Sequence, residues 1–122
     1  MKMTLQQAFN AAYVGVLAQG CKSVDNAFGA CTYNDGKGNK CGIGHAMPEK
    51  TDTTGINFKS VAELLGAHHP AVEHLTEINP SDLIGLQDCH DNAVLGEDFI
   101  VEFTANMERF AILRGLTIPP TN

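Results

Sequence analysis

The spacing of apolar positions predicts helices at both ends of the chain. Leu5, Ala8, Phe9, Ala12, Tyr13, Val16 and Leu17 recur at helical intervals and make one apolar stripe. Thr4-Leu5-Gln6-Gln7 precedes that stripe as a capping box, and Gly20 follows it as a stop. Near the other end, Phe99, Phe103, Met107 and Phe110 give a second stripe within a helix expected from about Glu97 to Arg114, with Gly115 as its stop. Glu97 and Asp98 suit the positive end of its dipole, and Arg109 and Arg114 the negative end.

Three shorter helices are predicted between them. Ser60-Val61-Ala62-Glu63 is a capping box opening a helix that ends near Gly66. Pro70 starts a short helix through Ile78, with Val72, Leu75 and Ile78 inward. Asn79-Pro80-Ser81-Asp82 combines a capping Asn, a proline at the first helical position and an early Asp. Leu83, Leu86, Gln87, His90 and Val94 then line one face. His90 follows Leu86 by four residues and Leu83 by seven, so it is expected to point inward.

Residues 21–29 read as a loop in which Val24, Ala27 and Phe28 can pack, and residues 46–57 as irregular. Between these lies the one region of period-two character. Ala30–Tyr33 and Lys40–Ile43 flank Asn34-Asp35-Gly36-Lys37-Gly38-Asn39, a run rich in residues that tolerate positive φ. The expectation is a β-hairpin with Cys31 opposite Cys41 or Ile43 and both thiols on one face. Gly42 and Gly44 leave the backbone open to close approach. The predicted class is therefore α+β: a mostly helical single domain over residues 1–122, with four or five helices and one β-hairpin near residues 28–44.

Composition narrows the function classes. At 122 residues and 43% hydrophobic, the chain has enough apolar residues for a core without disulfide staples. No stretch approaches the ~20 apolar residues of a membrane span. The start, Met1-Lys2-Met3-Thr4, turns polar at once, unlike a secretory leader. A cytoplasmic location is expected, and hence thiols rather than disulfides at the four cysteines. The net charge of −6 is uneven. Residues 1–61 carry six Lys and four acidic residues, whereas residues 62–122 carry two Arg and ten acidic residues. That balance argues against a general grip on nucleic acid and against a membrane-surface role. It suits a face that meets a basic partner, and Asp98 and Glu102, four residues apart on the last helix, are the candidate partner face.

Candidate chemistry gathers around Cys31, Cys41, His45, Cys89 and His90. Cys and His are zinc ligands, and Cys31, Cys41, His45 and His90 form the alternative metal set. The spacing lacks a C-x-x-C pair, so no cofactor is the first expectation, with zinc as the alternative. A thiol paired with His45 or His90, with Asp91 or Asp88 orienting the imidazole, is a nucleophilic alternative. His90-Asp91 with His68, His69 or His74 is a metal-hydrolase alternative. The Asn34–Asn39 run is no phosphate loop, because it lacks the G-x-x-x-x-G-K-[ST] spacing.

Two segments carry a resemblance. Cys31-Thr32-Tyr33, followed by Lys40-Cys41-Gly42-Ile43-Gly44-His45-Ala46-Met47-Pro48-Glu49, resembles a C-x-Y … K-C-A-I-G-x-L-I-P-D pattern. Leu86-Gln87-Asp88-Cys89-His90-Asp91 resembles L-Q-x-x-H-D. Together they are similar to a family of small uncharacterised proteins of tailed bacteriophages and prophages. Gly42, Ala46-Met47 and Glu49 depart from the pattern, and the aromatic that follows the proline-acid pair is missing. The resemblance implies a phage accessory protein in the host cytoplasm and marks Cys31, Tyr33, Cys41, His90 and Asp91; His45 joins them as a candidate binding residue. The function this suggests is binding of a host component, protein or small molecule, rather than catalysis. The alternative is a small metal-dependent or Cys/His enzyme with its site between the hairpin and the His90 helix.

Overall fold

The computed structural model describes residues 2–25 and 29–120. Five α-helices and one 3₁₀ helix account for its regular structure: α1 (Leu5–Gln19), α2 (Gly42–Ala46), α3 (Val61–Gly66), the 3₁₀ helix (Pro70–Leu75), α4 (Pro80–Asp91) and α5 (Phe99–Arg114). Their ends obey the expected chemistry. The Thr4 hydroxyl accepts from the Gln7 amide while the Gln7 side chain accepts from the Thr4 amide. Ser60 and Glu63 do the same for α3, and Asn79 caps α4 through the Ser81 amide. Gly20 and Gly115 close α1 and α5 at φ 74° and 68°. No helix is long and apolar enough to cross a membrane among the described residues.

The apolar stripes converge on one core cluster. Phe9 of α1 stacks on Phe110 of α5 with ring centroids 6.1 Å apart. Ile43, Leu64, Leu75, Leu83, Leu86 and Phe103 belong to the same cluster, each almost wholly buried. α2 crosses α1 at close range because small residues meet there. A Cβ on Gly42 would stand 3.1 Å from the Ala12 Cβ, and one on Gly15 would stand 2.4 Å from the His45 ring.

The α+β expectation and its hairpin are overturned. Among the described residues, extended pairing is limited to two isolated antiparallel bridges, Val24 with Cys31 and Asn34 with Lys40. The second bridge closes the Asn34–Asn39 turn, but the arms then diverge. The first arm pairs backward: Thr32 donates to the Ser23 carbonyl at 3.1 Å, and Asp25 to the Ala30 carbonyl at 2.7 Å. The second arm coils into α2, with the Cys41 Sγ accepting from the Gly44 amide at 3.3 Å. Cys31 therefore faces neither Cys41 nor Ile43 across a ladder.

The physical reason is competition from side-chain amides for the ladder's backbone groups. Asn57 Oδ1 accepts from the Tyr33 and Asn34 amides, and Gln19 both accepts from the Lys40 amide and donates to its carbonyl. Backbone groups so satisfied have no need of each other. One smaller correction concerns α4. Val94 lies beyond the end of α4 and is 44% exposed, while Cys89 and Ala93 take the inward positions. Asp98 makes no side-chain cap on α5; Glu102 instead accepts from the Val94 amide at 2.8 Å. Ala27 and Phe28 lie outside the described residues.

Candidate functional site

A cleft of about 350 Å³ opens between the Ala30–Tyr33 segment, residues 57–60 and α4. Cys31, Tyr33, Cys41 and Asp91 line it, together with Gln87 and Asp88. Four of the six binding residues marked in the sequence are thus brought together, with His90 directly behind Asp91.

His90 is fully buried and both ring nitrogens are engaged. Nε2 accepts from the Ser23 amide at 3.0 Å, so it carries no proton. Nδ1 must therefore be the N–H, and it donates to the Asp91 carboxylate at 2.7 Å. The ring edge packs on Phe99, with centroids 5.4 Å apart. Lys22 completes the end of α4 by donating to the Asp91 and Ala93 carbonyls at 2.9 and 2.7 Å, where the helix leaves acceptors unfilled. Ser23 and Thr32, both buried, share a hydroxyl–hydroxyl bond of 2.8 Å.

Tyr33 stands at the cleft floor. Its hydroxyl donates to the Lys59 carbonyl at 2.7 Å and accepts from the Gln87 amide group at 3.0 Å. Burial raises its pKa above the ordinary phenol value. Gln87 also accepts from the Val61 amide, so one side chain joins α3, α4 and Tyr33. Burial pushes the Cys31 thiol up to about 11, with the Asp91 charge adding and Lys22 opposing. Burial likewise pushes Cys41 up to about 12 and Cys89 to about 11.

These facts limit the chemistry. Cys31, His90 and Asp91 hold ligand atoms within 4.8 Å of one another. A metal on His90 Nδ1 would require the proton on Nε2, facing the Ser23 N–H donor, so this set does not fit zinc as it stands. The four-residue zinc set is not assembled either: among the described residues, the ligand cluster contains neither Cys41 nor His45. A nucleophilic reading needs a free imidazole nitrogen and an acidified thiol. His90 offers no free nitrogen, and the thiol is shifted the other way.

The free thiols should consequently react in a defined order. Cys21 is exposed and Cys31 half-buried; Cys41 and Cys89 are buried. Native alkylation at pH 8 should label Cys21 fastest and Cys31 about tenfold more slowly, since its scarcer thiolate is partly offset by greater nucleophilicity. Cys41 and Cys89 should label only on unfolding. Mass spectrometry of time points checks this, and Cys21→Ser should remove the fast phase. Fast labelling of Cys31 would contradict its burial against Asp91.

His45 lies apart from the cleft, half-buried over Gly15. Its Nε2 bonds Gln19 Oε1 at 2.7 Å. That oxygen accepts, so Nε2 donates. Burial, and secondarily Lys40, lowers the His45 pKa from 6.5 to about 4. The folded value lies below the unfolded one. The associated stability is therefore full above about pH 6.5 and is lost as pH falls through 4. Because the ring is only half-buried and solvent screens part of the effect, the loss should reach about 1–2 kcal/mol. A His45→Gln variant should show a shallower fall in urea-unfolding free energy between pH 6.5 and 4 than the wild type; parallel curves would refute the shift.

Asp98 and Glu102 stand at the start of α5 and do not line the cleft. Spacing gave no signal for Lys22, Ser23 or Asn57, which act from loops. Gln87 was legible as part of the Leu86–Asp91 motif and as an inward position. Comparisons with protein-family models, curated proteins and solved structures return no match.

Proposed function

We propose that the protein acts by binding rather than by catalysis, as a phage accessory protein whose cleft receives a cationic group of a host component, protein or small molecule. The observation that carries the reading is the engagement of both His90 nitrogens, which leaves no imidazole base at the cleft. Thiols held protonated by burial add to it. The cationic preference follows from the walls, where Glu63, Asp88 and Asp91 supply carboxylates. The Asp88 pKa is raised by partial desolvation at the cleft wall and by the neighbouring Asp91 charge, a cost that a bound ammonium or guanidinium would relieve. The resemblance of the Cys31–Glu49 and Leu86–Asp91 segments supports the phage origin and the host partner.

The test is capture from bacterial lysate on immobilised wild type and on Asp88→Lys, with folding of both checked by circular dichroism. Asp88 is exposed and its replacement should leave the core intact. A partner retained by the wild type should be lost from the variant, and should elute from the wild type as salt rises. Equal retention would move the site away from the cleft. Turnover of the captured component by the wild type would overturn the binding reading.

A further inference from the structure

A second groove, of about 240 Å³, lies between α4 and α5. α4 lines it with Gly85, Asp88 and Cys89, and α5 with Arg109, Leu113 and Arg114, positions that share one face of each helix by their spacing. Arg109 and Arg114 are the only arginines of the chain, and no lysine follows Lys59. The acidic half of the sequence therefore directs both of its permanent cations into one groove. Arg114 is fixed there. Its Nε donates to Asp82 at 2.8 Å, and its guanidinium carbon lies 3.9 Å from the centre of the Phe110 ring. Gly85 leaves room for this stack, since a Cβ there would stand 3.0 Å from the Phe110 ring and 3.4 Å from Arg114 Nη2. Among the described residues, Arg114 bonds to protein through Nε alone, and Arg109 makes no hydrogen bond or ion pair. Both charges reach the groove floor: burial raises the Cys89 thiol, the two arginines oppose that, and Asp88 adds to it. Asn106 donates to the Cys89 carbonyl at 3.1 Å, and Leu113, 73% exposed, is an apolar lip.

We propose that this groove binds a monoanionic carboxylate carried on a small apolar body. A carboxylate holds two oxygens in one plane, and the Arg114 guanidinium, fixed by its stack and its ion pair, offers Nη donors in a matching fork. Asp82 already balances Arg114, so Arg109 is the charge still to be met. Asp88 stands in the groove wall and opposes a second negative charge, as does the net charge of −6 on the whole chain. This balance selects a single carboxylate over a phosphate dianion. The apolar body covers the exposed Leu113 side chain, which adds affinity that a bare carboxylate lacks. Asp88 is the one residue the groove shares with the cleft, so the two sites take ligands of opposite sign on either side of it.

The experiment titrates isotope-labelled protein with benzoate and follows the backbone amide signals by nuclear magnetic resonance. Benzoate should bind saturably, with a Kd in the millimolar range or tighter, and move the amides of residues 85–92 and 106–114. Benzamide, acetate and inorganic phosphate should each bind at least about tenfold more weakly, the first for want of charge, the second for want of an apolar body, the third for excess charge. Arg109→Gln, at an exposed position with no bond to lose, should weaken benzoate by about tenfold or more. Arg114→Lys keeps the charge beside Asp82 but loses the planar fork, and should do the same. Asp88→Lys should tighten benzoate while it releases the partner of the cleft, so the two sites respond to one substitution in opposite directions. Circular dichroism confirms the folding of each variant. Absence of a saturable shift, binding of benzamide or phosphate as tight as benzoate, unchanged affinity in Arg109→Gln or Arg114→Lys, or weaker binding to Asp88→Lys would each overturn the proposal. Failure of the lysate capture would leave all of these results standing.

Discussion

His90→Ala is expected to destabilise the fold by about 3–5 kcal/mol. The side chain is fully buried, and its removal leaves a cavity beside Phe99. It also strands the amide of Ser23, a residue with no exposed surface. An orphaned buried donor costs about 1–3 kcal/mol on its own. Asp91 at the same time loses the N–H that orients its carboxylate. Against a total stability of about 5–15 kcal/mol, this is a large fraction. His68→Ala provides the contrast, because His68 is exposed; its effect should stay within about 1 kcal/mol. Urea unfolding of both variants checks the difference. Equal midpoints would mean that the Ser23–His90–Asp91 chain does not hold the cleft in solution.

Gly44→Ala is expected to cost about 3 kcal/mol or more, against the usual trend of glycine replacement in helices. Alanine ordinarily gains about 1 kcal/mol over glycine at a helical position. Here a Cβ would lie 2.1 Å from the Tyr33 carbonyl oxygen, and the obstacle is backbone rather than a movable side-chain tip. Either α2 must lift from the Tyr33 segment or that segment must retreat, and both disturb the cleft floor. Gly66→Ala, at the end of α3 with nothing within 4 Å, should instead be neutral or stabilising by up to about 1 kcal/mol. Opposite signs for the two replacements in chemical denaturation would establish the close approach. A neutral Gly44→Ala would place α2 elsewhere.

Most cleft residues also carry structure. Gln87 joins α3, α4 and Tyr33, and Asp91 holds His90. Asp88 is the cleft carboxylate free of such duties among the hydrogen bonds of the described residues, and for that reason it separates binding from stability.

The helices were legible because their signals are local. Thr4 and Gln7, Ser60 and Glu63, and Asn79 with Pro80 act within a turn of the residues they cap, and Leu83, Leu86 and His90 share a face by spacing alone. These facts needed no knowledge of distant chain, so the order of residues was enough to set where most helices begin and that His90 points inward. The hairpin was misread because its own local signals compete with distant ones. A turn-rich run between two short arms is compatible with a ladder or with two diverging arms. Asn57 and Gln19, far along the chain, decided between them by taking the backbone groups a ladder needs. The cleft is of the same kind. His90 meets Ser23 across 67 residues, and Tyr33 meets Gln87 across 54. No periodicity encodes such pairs. They arise when packed helices bring loops together and every buried donor must find an acceptor, a condition met only once the whole chain is folded.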